Sequence, residues 1–234
     1  MESDLQYNND GRKQMSRKAE KADVESIRGL LREYYAAAVE KDCSRLRLDA
    51  DMVPAAMVDR VENDGSVLWK MLPSTIKPAE IRRLESRLRY PLPPMYRAYL
   101  QSYFHLFSAL VPVDSTCGQG GVGFASMPCD DPLWTFNGAF EEANVCFGSR
   151  LQQRLLKLGF PLIGWSLDDR LALNTHSPDD EGDYQIIAIS NALDDEVFDS
   201  ITGDPLHFEL DDVWQHTQPV CESFKEFVNI YFRL

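Results

Sequence analysis

The first half of the 234-residue chain carries apolar residues at helical spacing. From Asp23, a good helix N-cap, this spacing predicts an amphipathic helix with apolar positions Ile27, Leu30, Leu31, Tyr34, Tyr35 and Ala38. A second helix is predicted from about Pro78 to Leu88, because proline suits a first helical turn and Pro91 must end the helix. A third is predicted after Pro94, with Met95, Tyr96, Tyr99, Leu100, Tyr103 and Phe104 on its apolar face. Residues 78–107 are therefore predicted to form two helices joined by a proline corner.

In the second half the pattern changes to short extended runs between turn residues. A fourth helix comes first, because Ser149 and Gln152 form a capping box and Gly159 fits the helix C-cap. Strands are predicted at about 161–166, 170–174 and 184–190, and another short extended piece near 206–210. The loop "HSPDDEGD" joins the second and third of these strands as a hairpin. A closing helix is predicted to start at the capping box of Ser223 and Glu226.

The order of these elements predicts the fold class and the organisation of the chain. Helices dominate the first half, strands the second, and a helix closes the chain, which favours an α+β fold with a mostly antiparallel sheet flanked by helices. Residues 1–20 are predicted to be a disordered tail, 21–70 a helical N-terminal extension, and 71–234 the α+β domain. Within the extension, the apolar run 66–72 fits either a strand or a helix. The long loop 112–147 receives no predicted role.

Charge is distributed unevenly along the chain. The formal net charge is −13, and residues 168–212 hold 14 acidic residues against one basic residue, Arg170, so this segment accounts for the whole excess. Binding to nucleic acid through this half is disfavoured, because such binding comes largely from cationic side chains that replace counterions. A basic protein partner is favoured electrostatically. The alternative is a solvated surface that only keeps the protein in solution.

The acidic residues that would meet such a partner form three groups along the chain. They are Asp168 and Asp169, then Asp179, Asp180, Glu181 and Asp183 in the hairpin loop, and then Asp194, Asp195 and Glu196. Trp165 and Trp214 are candidate aromatic anchors, because interface hot spots favour such side chains, although tryptophans are more often core residues. The loop acids could also bind a divalent cation, but adjacent acids in loops are usually solvated turns. We therefore predict no metal site.

No arrangement of residues predicts catalysis or a cofactor. The four histidines show no metal-ligand spacing, and His105 is predicted to be a packed helical residue rather than a base. The stretch "CGQGGVGF" matches G-x-G-x-x-G through Gly118, Gly120 and Gly123, yet Pro128 and Pro132 make a helix after it unfavourable. A flexible or ligand-touching loop therefore fits better than a nucleotide site.

The compartment follows from the cysteines and from the absence of targeting patterns. The five cysteines are an odd, scattered set without a C-x-x-C pair, which indicates reduced thiols. No apolar run approaches the roughly 20 residues of a membrane span, and the polar N-terminus lacks the apolar region of a signal peptide. We expect a cytoplasmic protein that does not enter the membrane.

The proline-corner segment carries a resemblance to a known family. "IKPAEIRRLESRLRYPLPPMYRAYL" resembles the signature of the SUKH superfamily, the Smi/Knr-type domains, through Ile81, Leu84, Glu85, Leu92, Pro93, Tyr96 and Leu100. The stretch "PLIGWSLDDRLALNTHSPDDEGDYQIIAIS" is similar to the central hairpin of the family, and "SFKEFV" to its closing helix. The resemblance covers roughly residues 70–234. Asp168 departs from it, because the family usually has a glycine at that position.

The resemblance implies an α+β domain without catalytic activity. Bacterial members are typically immunity proteins that bind and inhibit a cognate toxin, often a nuclease, and this is our leading expectation. Eukaryotic relatives act as regulatory scaffolds, which is the second expectation. An enzyme or nucleotide-binding protein that uses residues 117–124 is the third. Neither the identity of the toxin nor the oligomeric state follows from the sequence.

Overall fold

The computed structural model describes residues 21–41, 46–107, 109–110, 122–124, 147–166, 169–190, 192–193 and 208–231. Its helices are α1 (Lys21–Glu40), α2 (Pro78–Leu88), α3 (Pro94–Leu100), α4 (Phe147–Lys157), α5 (Leu210–Gln215) and α6 (Phe224–Tyr231). Its strands are β1 (Arg47–Leu48), β2 (Val58–Val61), β3 (Val67–Trp69), β4 (Leu72–Pro73), β5 (Tyr103–Phe104), β6 (Ala109–Leu110), β7 (Val122–Phe124), β8 (Leu162–Ser166), β9 (Asp169–Pro178), β10 (Tyr184–Ile189) and β11 (Thr217–Cys221).

The largest sheet is antiparallel throughout and has the strand order β11-β10-β9-β8-β7-β6. The predicted hairpin is formed by β9 and β10, which place Leu173 opposite Ile186 and Leu171 opposite Ala188. Three-stranded (β1-β3-β2) and two-stranded (β4-β5) sheets accompany it. The predicted α+β class with a mostly antiparallel sheet is therefore confirmed.

The central hairpin buries side chains on both faces of the sheet. On one face, Leu171, Leu173, Ile186 and Ala188 join a core cluster with residues of α1, α2, α3 and α6. On the other face, Ala172, Ile187 and Ile189 join a second cluster with residues of α4 and α5. Alternation of side chains along a strand produces this division. The hairpin is thus the middle layer between two layers of helices, and its loop projects from one end of the sheet.

The N-terminal segment 21–70 is helical only in part. Helix α1 buries Ile27, Leu31, Tyr34 and Ala38, as the apolar spacing predicts. In the rest of the extension the short strands β1, β2 and β3 form a sheet, so the run 66–72, which fits either a strand or a helix, contains a strand. Helix α1 also shares its core cluster with α2, α3 and α6. One hydrophobic core cluster therefore continues across the predicted domain boundary between residues 70 and 71.

The proline corner has a charged centre. Its apolar motif residues are all buried: Ile81, Leu84, Leu92, Tyr96 and Leu100. Glu85 of α2 accepts a hydrogen bond from the Leu92 backbone N–H at 2.9 Å, and its carboxylate lies 3.6 Å from the Arg97 guanidinium. Burial lowers the pKa of Arg97, an effect that Glu85 opposes. Glu85 therefore connects α2, the corner and α3 through one carboxylate.

Helix α3 ends earlier than the sequence predicts. Tyr103 and Phe104, which we predicted on its apolar face, form β5 instead and pair with β4. Two hydroxyls satisfy carbonyls at the end of the helix: the Ser102 hydroxyl donates to Tyr99 O and the Ser74 hydroxyl to Leu100 O, both at 2.6 Å. His105 accordingly lies after a strand rather than on a helix, and burial lowers its pKa to about 3.

Three further differences lie in the second half of the chain. Helix α4 begins at Phe147, so Ser149 is inside the helix and not its N-cap. The predicted extended piece near 206–210 overlaps the start of α5, whose first turn is held by a hydrogen bond from Glu209 N–H to the Asp212 carboxylate at 2.7 Å. Strand β11 was not predicted. Residues 1–20 and most of 112–147 lie outside the described residues.

The end of α4 provides a matched pair of glycine substitutions. Gly159 has a φ of +89°, and a Cβ there would lie 2.8 Å from both His176 Nε2 and Thr175 Oγ1. We expect Gly159→Ala to lower the free energy of unfolding by about 1–3 kcal/mol, because strain and overpacking act together. A Cβ added at Gly29 in α1 would have no neighbouring atom within 4 Å. Gly29→Ala should therefore raise the free energy of unfolding by about 0.5–1 kcal/mol. Urea denaturation measures both, and equal effects would contradict this packing.

Candidate functional site

The loop of the central hairpin holds its carboxylates on an ordered backbone. The Asp179 carboxylate accepts hydrogen bonds from the N–H groups of Glu181 and Asp183, each at 2.8 Å. Asp179 and Asp183 also pair through their backbones at 2.9 Å, and Gly182 takes the left-handed conformation that the turn requires, with a φ of +78°. This frame leaves Asp180 and Glu181 exposed at the tip.

Asp183 is a structural residue, and its predicted place in an exposed binding face is wrong. Its carboxylate is buried and accepts backbone N–H groups from Tyr184 at 2.8 Å and from Phe224 and Lys225 at 3.1 Å. The last two belong to the first turn of α6, where N–H groups lack partners within the helix. Burial raises the pKa of Asp183, and the three N–H donors oppose this rise. Asp183 thereby joins the hairpin to α6.

The contact with α6 adds acidic residues that the sequence analysis did not include. Ser223 accepts the Glu226 N–H at 3.0 Å, and Glu226 accepts the Glu222 N–H at 2.8 Å, so the predicted capping box is present with its second bond shifted by one residue. Lys225 lies 3.4 Å from Glu181, and both side chains are exposed. We call Asp179, Asp180, Glu181, Glu222 and Glu226 the acidic end. The capping box itself could be recognised from the sequence. Its place beside the hairpin loop could not, because that depends on the order of the strands in the sheet.

Asp169 lies far from the acidic end. It begins β9, a strand of ten residues, and the hairpin loop follows the other end of that strand. At about 3.3 Å per residue, the two places are about 30 Å apart. Asp169 instead approaches Gln218 of β11 at 3.4 Å. The structure therefore separates two of the predicted groups, while Asp168, Asp194, Asp195 and Glu196 lie outside the described residues.

The two predicted aromatic anchors differ in what the structure shows of them. Trp214 of α5 is 36% exposed and packs edge-on against the buried Phe160, with ring centroids 5.0 Å apart. Its other neighbour is His176, whose Nε2–H donates to the Leu158 carbonyl at 2.7 Å. Trp214 is thus partly buried, on the face of the sheet that packs against α4 and α5. Trp165 lies in β8, opposite Gly123 and Arg170.

A small pocket lies beside the acidic end. It has a volume of about 110 Å³ and is lined by Asp23, Pro94, Met95, Glu181, Asp183 and Lys225. Ligand sites for cofactors and drug-sized molecules usually occupy about 300–1,000 Å³. This pocket is too small for such a molecule, and it marks where the starts of α1, α3 and α6 meet the hairpin loop.

The described residues offer little for metal or redox chemistry. Among them, no group of three or more His, Cys, Asp or Glu side chains is placed to hold a metal ion. Burial raises the pKa of the Cys221 thiol to about 11, which disfavours the reactive thiolate. Of the glycine motif, Gly118 and Gly120 lie outside the described residues, and Gly123 lies in β7 opposite Ala109 and Trp165. The predicted loop is therefore a strand at 122–124.

Comparisons with known proteins assign no family. No family model matches the chain, and no curated protein matches it significantly. In the part of the chain that the structure describes, every helix is too short or too polar to cross a bilayer.

Proposed function

We propose that this protein is a non-catalytic, cytoplasmic immunity protein that binds and neutralises a basic protein toxin through the acidic end. The observation that carries the proposal is the set of exposed carboxylates on the hairpin loop and at the start of α6, both held by backbone hydrogen bonds. Carboxylates on a fixed frame lose little conformational freedom on binding. The resemblance of 76–100 to SUKH domains supports the same role.

The acidic end offers complementary charge rather than a reactive centre. Its carboxylates would accept hydrogen bonds from Lys and Arg side chains of the toxin, and their combined field would raise the rate of encounter. A toxin that acts on nucleic acid has a cationic groove for its substrate, and an acidic protein surface can cover such a groove. The proposal is therefore inhibition by occlusion, with a nuclease as the favoured kind of toxin.

The structure determines which carboxylates can be changed without loss of the fold. Asp179, Asp183 and Glu226 hold backbone N–H groups, so their replacement would disturb the frame. Asp180, Glu181 and Glu222 are exposed, and replacing them should change stability by less than about 0.5 kcal/mol. The variant that isolates surface charge is therefore Asp180→Asn, Glu181→Gln, Glu222→Gln.

We expect this triple variant to protect cells less well than the wild type against the toxin. The assay is co-expression with a candidate toxin chosen from the neighbouring genes, scored as viable cells at graded toxin induction. The control is Asp49→Asn, Asp51→Asn, Asp59→Asn, which removes three exposed charges near the three-stranded sheet. If the triple variant protects cells as well as the control variant does, the acidic end is excluded as the toxin-binding surface. Binding without protection would instead favour the regulatory scaffold.

A further inference from the structure

His105 is a titratable side chain enclosed in aromatic packing. It has no exposed surface, and its Nε2 shares a hydrogen bond of 2.9 Å with the Tyr99 hydroxyl of α3. The rings of Tyr99 and Phe107 lie beside the imidazole, with centroid distances of 5.8 Å and 5.6 Å. Its Nδ1 is also buried and has no hydrogen-bond partner among the described residues. Such surroundings favour the neutral imidazole, because a buried charge without a partner is costly.

The charged side chains around this position cannot compensate an imidazolium. Arg28 and Arg32 of α1 each donate a hydrogen bond to the segment 102–103, at 3.2 Å and 3.4 Å, and both are cations. The carboxylate of Glu25 is bound to Arg28 at 2.8 Å. Helix α3 contributes Arg97, another cation, which is paired within the proline corner. The other titratable groups here are tyrosine hydroxyls, which carry no charge at neutral or acid pH.

Phe107 connects His105 to the N-terminal part of the chain. Its ring lies edge-on to Tyr34 of α1 and to Trp69 of β3, with centroid distances of 4.9 Å and 4.8 Å. Tyr35 of α1 packs on the same tryptophan and donates its hydroxyl hydrogen to the Trp69 carbonyl. We call the side chains of Tyr34, Trp69, His105 and Phe107 the aromatic joint. It joins α1 and the three-stranded sheet to α3.

We propose that His105 makes the aromatic joint sensitive to acid, so that protonation of the imidazole releases α1 and the three-stranded sheet from α3. A charged imidazole needs water or an acidic partner, and water reaches it only when the joint opens. Asp23 of α1 lines the pocket beside the acidic end, so this opening would also alter that surface. The proposal does not depend on what binds there.

The direction and the size of the effect follow from proton linkage. In the open form the imidazole titrates at about pH 6.5, and in the closed form burial lowers its pKa to about 3. Because the pKa is lower in the closed form, that form is favoured above pH 6.5 and is progressively weakened as the pH falls towards 3. From pH 7 to pH 5 the equilibrium constant for opening should rise about 25-fold.

Hydrogen exchange with mass spectrometry measures this opening in the full chain. Protection factors, corrected for the intrinsic exchange rate, are compared at pH 7 and pH 5. We expect the protection of α1 to fall about 25-fold, as the linkage requires, and that of the β9–β10 hairpin to fall by less than about threefold.

Two neutral replacements test whether His105 is the cause. In His105→Gln and in His105→Leu the side chain cannot be protonated, so the protection of α1 should change by less than about threefold between the two pH values. The result is a ratio within each variant, so a uniform loss of stability does not affect it. The control is His176→Gln, which removes an exposed histidine that packs against Phe160 and Trp214 and should keep the wild-type response.

Four outcomes would overturn the proposal. The first is a wild-type α1 with equal protection at the two pH values, and the second is the wild-type response in both His105 variants. The third is an equal loss of protection in α1 and in the hairpin, because the whole domain rather than the joint would then open. The fourth needs no variant: an NMR titration of the folded protein in which every histidine is protonated at about pH 6.5.

Discussion

Replacement of Glu85 by alanine is expected to lower the free energy of unfolding by about 3–5 kcal/mol, the usual effect of removing one partner from a buried ion pair. The Arg97 side chain is only 7% exposed, so its buried charge would remain without the nearby carboxylate. The Leu92 N–H would also lose its acceptor. Urea denaturation followed by circular dichroism measures the change.

The arginine itself provides the control for this mechanism. Arg97→Met in the Glu85→Ala background removes the buried charge and replaces it with an apolar side chain. The double variant should therefore be destabilised by less than the sum of the two single variants. Ser86→Ala, on the exposed side of the same helix, should stay within about 0.5 kcal/mol of the wild type. A Glu85→Ala protein as stable as Ser86→Ala would contradict the charged corner.

The second large effect concerns the apolar side of the corner. Leu92 is fully buried between α2 and α3, so Leu92→Ala should cost about 2–5 kcal/mol through lost contacts and a residual cavity. Pro93→Ala should cost less, because the backbone there can keep its conformation with alanine. Thermal denaturation measures both, with Met52→Ala as the control, since Met52 is 59% exposed. An unchanged midpoint for Leu92→Ala would show that the corner is not a packing unit.

The parts of the fold that the sequence predicted are those with strong local signals. The spacing of apolar residues gave α1 its buried face, and Pro78 and Pro91 bounded α2 at the observed residues. Gly159 marked the end of α4, where its φ of +89° is required. The central hairpin followed from two apolar runs around a turn. In each case the determining residues are neighbours in sequence.

The missed elements depend on distant partners. Strand β4 has two residues and pairs with β5, which lies some thirty positions later, so neither carries a periodic signal of its own. Strand β11 contains Pro219 and is held by its register with β10. The same reason explains the errors at the candidate site. Asp183 looks like any loop acid until α6 is placed against it, and Asp169 is close to Asp179 in sequence but a whole strand away in space.

Neighbouring acids of this protein therefore have two different roles. Asp179, Asp183 and Glu226 hold the backbone of the hairpin loop and the start of α6. Asp180, Glu181 and Glu222 have no such role and supply charge to the surface. This division is the basis of the functional proposal, in which the exposed carboxylates would meet the partner and the others only position them.

The association rate of this protein with the proposed toxin, followed by stopped-flow fluorescence across a salt series, would show whether the acidic end makes the contact. Surface charges are screened over about 10 Å at 0.1 M salt, so the wild-type rate should fall steeply as salt rises. The Asp180→Asn, Glu181→Gln, Glu222→Gln variant should associate at least about tenfold more slowly at low salt, with a weaker salt dependence. Rates and salt slopes equal to those of the Asp49→Asn, Asp51→Asn, Asp59→Asn control would contradict the account.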